Sequence, residues 1–221
     1  MLSFNEINKE ENSFSEDLKL FLSKRNSTSS EVASKVSTII SEIRHRGDDA
    51  LKAYSKEFDN FDKDSFLASK KEIDLSLKHF DPDLMKSLEF SFENILKFQT
   101  QCFKSLNLEN SDKEITRKFR IIDSVGVYVP GGKASYPSTV LMGSAPAIAC
   151  GVKNISLTSP AQNGVLNSKI VAAAKVAGIN TIYKMGGAQA IAALALGTEQ
   201  VAKVEKLSLI HISEPTRQQG I

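Results

Sequence analysis

Tryptophan is absent from this 221-residue chain, histidine occurs three times, cysteine twice and proline six times. His45 and His79 stand in charged helical surroundings, where histidines are solvated, and His211 lies in an anomalous tail, so a zinc site of imidazole and carboxylate ligands cannot be assembled here. Cys102 and Cys150 fall in predicted helices far apart in the chain, which argues for reduced core thiols over a disulfide and makes neither a nucleophile. No apolar run is long enough to cross a bilayer. The opening MLSFNEINKEENSFSEDLK is polar and acidic where a secretory leader is cationic and then apolar, so the expected compartment is the cytoplasm. Net charge is only +2, too small to suggest nucleic acid as a partner. No GxGxxG occurs. Gly132 and Lys133 resemble the end of a phosphate loop, but Val127 stands where its first glycine belongs and Ala134 where its hydroxyl belongs, which excludes a P-loop. Internal repeats and low-complexity tracts are also missing.

What is present divides near residue 124. Residues 125–206 carry nine charged side chains, far below the 24% of the whole chain, so the charge is concentrated upstream. That upstream segment reads as helical scaffold. Thr28 and Glu31 spell a capping box, Val32, Val36, Ile39, Ile40 and Ile43 make an apolar stripe, and Gly47 closes the helix. Asp48 is placed to cap a second helix that buries Ala50, Leu51, Tyr54 and Phe58, and Asp81 with Pro82 opens a long one carrying Leu84, Leu88, Phe92, Ile95 and Cys102 at helical spacing.

Downstream the pattern alternates. Val125, Val127, Tyr128 and Val129 form a strand ended by Pro130, Gly131 and Gly132, and Pro137 suits the first position of a helix. Ile155 to Thr158 is a second strand, Val165 to Ala177 a helix closed by Gly178, Thr181 to Met185 a third strand ending in Gly186 and Gly187, and Ala188 to Leu196 a helix stopped by Gly197. Strands alternating with helices of this length predict an α/β fold with a buried parallel sheet, helices on both faces, and ligands beyond the carboxyl ends of the strands.

Three stretches in order, VGVYVPGG, YPSTVLM and GGAQAIAALALGTE, resemble the signature of histidinol dehydrogenase, and IISEIRHRGDDALKAYSKEFD at 39–59 is similar to that family's amino-terminal helical hairpin. The resemblance covers residues 30 to 206. It implies an incomplete Rossmann-like parallel sheet preceded by a helical segment, in an aldehyde dehydrogenase-like architecture, and NAD-dependent oxidation of L-histidinol to L-histidine by a homodimer. It implies zinc too, with catalytic and metal-binding residues in a carboxyl-terminal half that this chain does not contain. Two cofactor-binding positions carry over: Tyr128 at a strand terminus, where its ring can pack beside NAD, and Gln189 in the first turn of a helix, next to free amides and the positive end of the dipole. Without the resemblance, Tyr128 reads as a half-buried strand residue and Gln189 as a solvent-facing helix start. Ser138 reads equally as a residue near substrate and as a plain helix-start serine, and is not assigned to the site.

After Lys206 the resemblance stops where the family would continue into a strand and a GPGN turn. LSLIHISEPTRQQGI looks like the translation of a transposon adapter used in shotgun sequencing, so residues 207–221 are expected to be foreign and the chain an inactive fragment. The expected organisation is therefore 1–124 mainly helical with part of a first α/β domain, 125–206 an incomplete NAD-binding domain, and 207–221 a tail. The alternatives are a related zinc-dependent dehydrogenase acting on another small alcohol, and a stand-alone nucleotide-binding module.

Overall fold

The computed structural model describes residues 14–19, 30–106, 109–111, 116–131 and 135–209. The chain forms two units, residues 1–38 with 213–221, and residues 39–212. In the first, residues 14–19 are helical and residues 30–38 begin helix α1 (Ser30–Arg46), with an exposed Lys35–Glu31 ion pair at 2.7 Å. Thr28 of the expected capping box lies outside the described residues. The sheet and its surroundings belong to the second unit.

There, Gly47 adopts φ 52 and its amide donates to the Ile43 carbonyl at 2.9 Å, closing α1 as its sequence position requires. Of the expected α1 stripe, Ile39 and Ile43 are buried, whereas Val32, Val36 and Ile40 are exposed. Helix α2 (Asp48–Asp59) starts without a side-chain cap. Asp48 instead accepts from the Gln200 amide at 3.4 Å, so its carboxylate serves a tertiary contact. Ala50 and Leu51 are buried as expected, but Phe58 is 53% exposed and stacks on Tyr54 at 5.7 Å. Helix α3 (Lys70–Leu77) carries a complete capping box, Ser69 with Glu72. Helix α4 (Pro82–Ser105) is capped by Asp81, which accepts from Asp83 and Leu84. It buries Leu88 and Phe92 but leaves Cys102 exposed, so only Cys150, half-buried, approaches a core position. A small antiparallel ladder, β1 (Glu109–Ser111) with β2 (Thr116–Lys118), interrupts what the sequence presents as scaffold helix.

The alternating half runs β3 (Ser124–Tyr128), α5 (Pro137–Ala149), β4 (Asn154–Ser159), α6 (Ser168–Val176), β5 (Thr181–Lys184), α7 (Gly187–Leu196) and β6 (Lys206–Ser208). All neighbouring strands are parallel in the order β5-β4-β3-β6. This is the order of one half of a doubly wound sheet, the chain reversing direction across the sheet between β3 and β6. Helix α6 begins three residues later than Val165 because Asn167, not Val165, supplies an N-cap oxygen, to the Lys169 amide at 2.9 Å.

Successive β3 residues face opposite sides. A Cβ on Gly126 would lie 3.0 Å from Leu207, 3.1 Å from Val204 and 3.3 Å from Leu194, so the glycine lets α7 and β6 close on that face. Val125 lies on the other face, lining a cavity with Pro146 and Ala147 of α5. Helices therefore cover both faces, and the low charge of residues 125–206 follows. Leu207 and Ser208, which the sequence assigns to the tail, pair with Gly126 and Val127. Backbone pairing is indifferent to side-chain origin, and a leucine fills the space over Gly126. At the opposite edge, Ala68 donates to Ile182 at 2.8 Å and Lys184 to Phe66 at 2.7 Å, so residues 66–68 cover the flank of β5.

Candidate functional site

Loops leave the carboxyl ends of β3, β4 and β5, and glycines let them meet. A Cβ on Gly131, after β3, would stand 2.9 Å from the Pro160 ring, which follows β4. A Cβ on Gly186, after β5, would overlap the same ring. Pro160 is thus seated between two glycine backbones with no room for a side chain on either. Gly187 adopts φ 63, and a Cβ there would lie 2.6 Å from Gln189 Oε1. Both expected glycine loops therefore reach one place, although Gly132 lies outside the described residues.

Tyr128, last residue of β3, reaches across to the start of α7, where its hydroxyl accepts from the Gly187 amide at 3.2 Å. Burial raises its phenol above the ordinary tyrosine range, the Gly187 amide works against that rise, and the charge of Asp59 adds to it. At Asp59, last residue of α2, the Gly186 amide favours the charged carboxylate. Burial nevertheless lifts its carboxyl above the ordinary aspartate value. Its Oδ2 is buried with no hydrogen-bond partner among the described residues.

Gln189 is only 1% exposed, and both Oε1 and Nε2 are buried without a hydrogen-bond partner among the described residues. The reading of Gln189 as a solvent-facing helix start, made without the resemblance, is corrected. The Gly187 amide is engaged by the Tyr128 hydroxyl, and Gln189 is buried. A buried polar group without a partner costs about 1–3 kcal/mol, and folds carry such atoms chiefly where function requires them. Three of the four atoms of this kind among the described residues belong to Asp59 and Gln189. Beside the cluster, a cavity of about 200 Å³ is lined by Pro130, Gly131, Ser135, Ser159, Pro160 and Asn167. A more apolar cavity of about 520 Å³ lies on the Val125 face, between α5 and β6, away from these groups.

Sequence reasoning missed Asp59 because nothing but its neighbours in space distinguishes a helix-terminal aspartate. It also missed the support beneath the site. Lys184, 5% exposed at the end of β5, pairs with Glu72 Oε1 at 2.7 Å and lies 5.8 Å from the centre of the Phe61 ring. The signal was available: a single charge in the apolar run of β5 must be paired if it is buried. Burial opposes ionisation of Glu72, but hydrogen bonds from Lys184 and Ser69 outweigh it and hold the carboxyl down to about 2. A carboxyl lowered on folding adds stability above its unfolded value and loses it as pH falls towards the folded one. This contribution is therefore expected to vanish between about pH 4.5 and 2. Glu72→Gln strands a buried ammonium. Because the glutamate side is 44% exposed, the expected loss at pH 7 is about 1–3 kcal/mol, below that of a fully buried pair, and denaturant melts at pH 7 and pH 3 should show the difference shrinking in acid.

His45 and His79 are exposed, as is Ser138. Among the described residues no three His, Cys, Asp or Glu side chains come together in a group able to hold a metal ion. No helix among them is long and apolar enough to cross a membrane.

The sequence profile of one family, described as histidinol dehydrogenase, matches residues 22–208. Histidinol dehydrogenase of Oceanobacillus iheyensis is 42% identical over 181 residues, covering 80% of this chain and 42% of the relative. That of Methanococcus maripaludis is 41% identical over 192 residues, covering 86% and 45%. A crystal structure of histidinol dehydrogenase from Elizabethkingia anophelis superposes with a TM-score of 0.77 at 31% identity, covering 86% of this chain and 45% of that one. The chain thus spans slightly less than half the length of these relatives.

Proposed function

The chain belongs to the histidinol dehydrogenase family, and from that premise we propose that it is the dinucleotide-holding amino-terminal half of an NAD-dependent oxidation of L-histidinol to L-histidine. The observation that carries this reading is the buried side-chain amide of Gln189, without a hydrogen-bond partner among the described residues, at the carboxyl edge of a half doubly wound sheet and two residues beyond the Gly187 amide held by Tyr128. A dinucleotide amide or hydroxyl has the donors and acceptors that this side chain lacks. In this reading Gln189 orients the cofactor, Tyr128 fixes the α7 start and offers a ring edge, and Gly131, Gly186 and Gly187 let backbone approach closely. When bound, NAD supplies the hydride acceptor.

The described residues do not fit a zinc site, so no step through a metal is derived from this chain. In our reading the metal ligands, the proton-transferring groups and most substrate contacts lie in the other half of a family-length protein, and the whole is a cytoplasmic homodimer of aldehyde dehydrogenase-like architecture.

Purified chain given NAD and L-histidinol is expected to form no NADH, since the acid–base groups are not in it; turnover would contradict the assignment of halves. Tyr128→Phe removes the acceptor of the Gly187 amide and is expected to weaken NAD binding about tenfold by fluorescence titration with little change in melting temperature. Unchanged affinity would remove Tyr128 from the site.

A further inference from the structure

The Tyr128–Gly187 contact joins the ends of two strands that are not neighbours, since β4 runs between β3 and β5. Thr158 of β4 stands opposite both, paired in register with Tyr128 on one side and Tyr183 on the other. Its main chain and its side chain hold different partners. The Thr158 carbonyl accepts from the Val129 amide at 2.9 Å, which fixes the residue after Tyr128. Its Oγ1 donates to the Met185 carbonyl at 2.7 Å, one residue beyond β5 and two before Gly187. The Gly187 amide then donates to the Tyr128 hydroxyl at 3.2 Å, so three hydrogen bonds close a ring that begins and ends at Tyr128. Gln189 leaves the backbone two residues past that ring, and its Oε1 lies 2.6 Å from where a Cβ on Gly187 would stand. Packing does not account for the hydroxyl. Thr158 and Met185 are both 0% exposed in a sheet covered on both faces, where apolar branched residues are usual and valine has the shape of threonine. A buried carbonyl just past the end of a strand needs a donor, and Gly186 and Gly187 carry little conformational preference of their own, so the entry to the turn is set from outside it.

We propose that Thr158 is a positioning residue of the dinucleotide site: its hydroxyl holds the Met185 carbonyl, sets the turn that brings the Gly187 amide to Tyr128, and so places the Gln189 side chain. The role rests on the reading that this cluster meets NAD. Thr158 makes no contact with the cofactor in this role; it acts through Gly187 and Gln189. Two substitutions separate placement from packing. Thr158→Val keeps the branched shape and removes the donor, whereas Thr158→Ser keeps the donor and removes a methyl from a packed core. Both are expected to melt about 2–4 °C below wild type, a loss on the scale of one hydrogen bond or one buried methyl in a chain of this size. Only the valine variant is expected to lose binding.

The test uses the full 221-residue chain as wild type, Thr158→Val and Thr158→Ser, with NAD titrations, melting curves and hydrogen exchange of assigned glycine amides after ¹⁵N-glycine labelling. In Thr158→Val the Gly187 amide is expected to exchange at least about tenfold faster, while the Gly178 amide, which donates to the Lys175 carbonyl at 3.0 Å at the end of α6, keeps its wild-type rate. NAD affinity is expected to fall about tenfold in Thr158→Val and to stay within about threefold of wild type in Thr158→Ser. A valine variant that binds NAD as tightly as wild type overturns the proposal, and so does unchanged Gly187 exchange in that variant. A serine variant that loses as much affinity as valine also overturns it, because binding would then follow stability and not the hydroxyl. If Thr158→Val does not fold, Thr158→Cys, whose thiol is a weak donor, decides by the same two readouts. Faster Gly187 exchange in the variant, with a folded wild type that takes up no NAD, overturns the cofactor reading, and the role with it, while leaving the ring of contacts standing.

Discussion

Gly186→Ala is expected to lose about 3 kcal/mol of stability, a fall in melting temperature of roughly 6–12 °C for a chain of this size, together with measurable NAD binding. The added methyl has no direction in which to move. It would overlap the Pro160 ring, and that ring is held from behind by the Gly131 backbone, where a Cβ would also come within 2.9 Å. Relief requires the loops after β3, β4 and β5 to separate, and separation breaks the Tyr128–Gly187 contact at the same time. Gly178 offers the control, since a Cβ there meets nothing within 4 Å and only its φ of 71 resists substitution, so Gly178→Ala is expected to cost about 1 kcal/mol without touching binding. Thermal melts and NAD titrations of both variants check the pair, and equal losses in the two would show that the Pro160 clamp carries no special weight.

Gln189→Met is expected to do the opposite of an ordinary core substitution. It keeps the length and approximate shape of the side chain while removing two buried polar atoms that have no partners among the described residues, so the chain should gain about 1–3 kcal/mol. Binding should fall at least about tenfold, because the donor and acceptor that the cofactor would satisfy are gone. Stability and affinity moving in opposite directions is the mark of a residue retained for a ligand. A methionine variant that melts lower than wild type would mean that Gln189 has partners in the folded chain, and the argument from its isolation would fail.

Which parts of this were legible from the sequence follows from how local their causes are. The parallel strands and their helices announce themselves through period, β-branched runs and glycine stops, and Gly197 and Gly178 sit where the helices end with φ of 81 and 71. Helix α3 escaped notice because eight residues give little periodic signal, although its Ser69–Glu72 capping box was there to be read. Phe58 and Cys102 follow the right spacing but face solvent, since periodicity says that a face is apolar and not that anything covers it. Tyr128 and Gln189 were placed by resemblance, and the surroundings of Gln189 were misjudged because its burial depends on how α7 packs, with α2 among its neighbours. Asp59 and the Lys184–Glu72 pair are created wholly by tertiary contact, across 112 positions in the second case, and no local pattern encodes a partner that distant.

Calorimetric titration of NAD into the wild-type chain and into Gln189→Met, with melting curves on the same samples, tests the central claim most directly. The account requires saturable NAD binding by wild type that is at least about tenfold weaker in a variant that melts at a higher temperature. Equal affinity in the two, or a folded wild type that takes up no NAD, would contradict it.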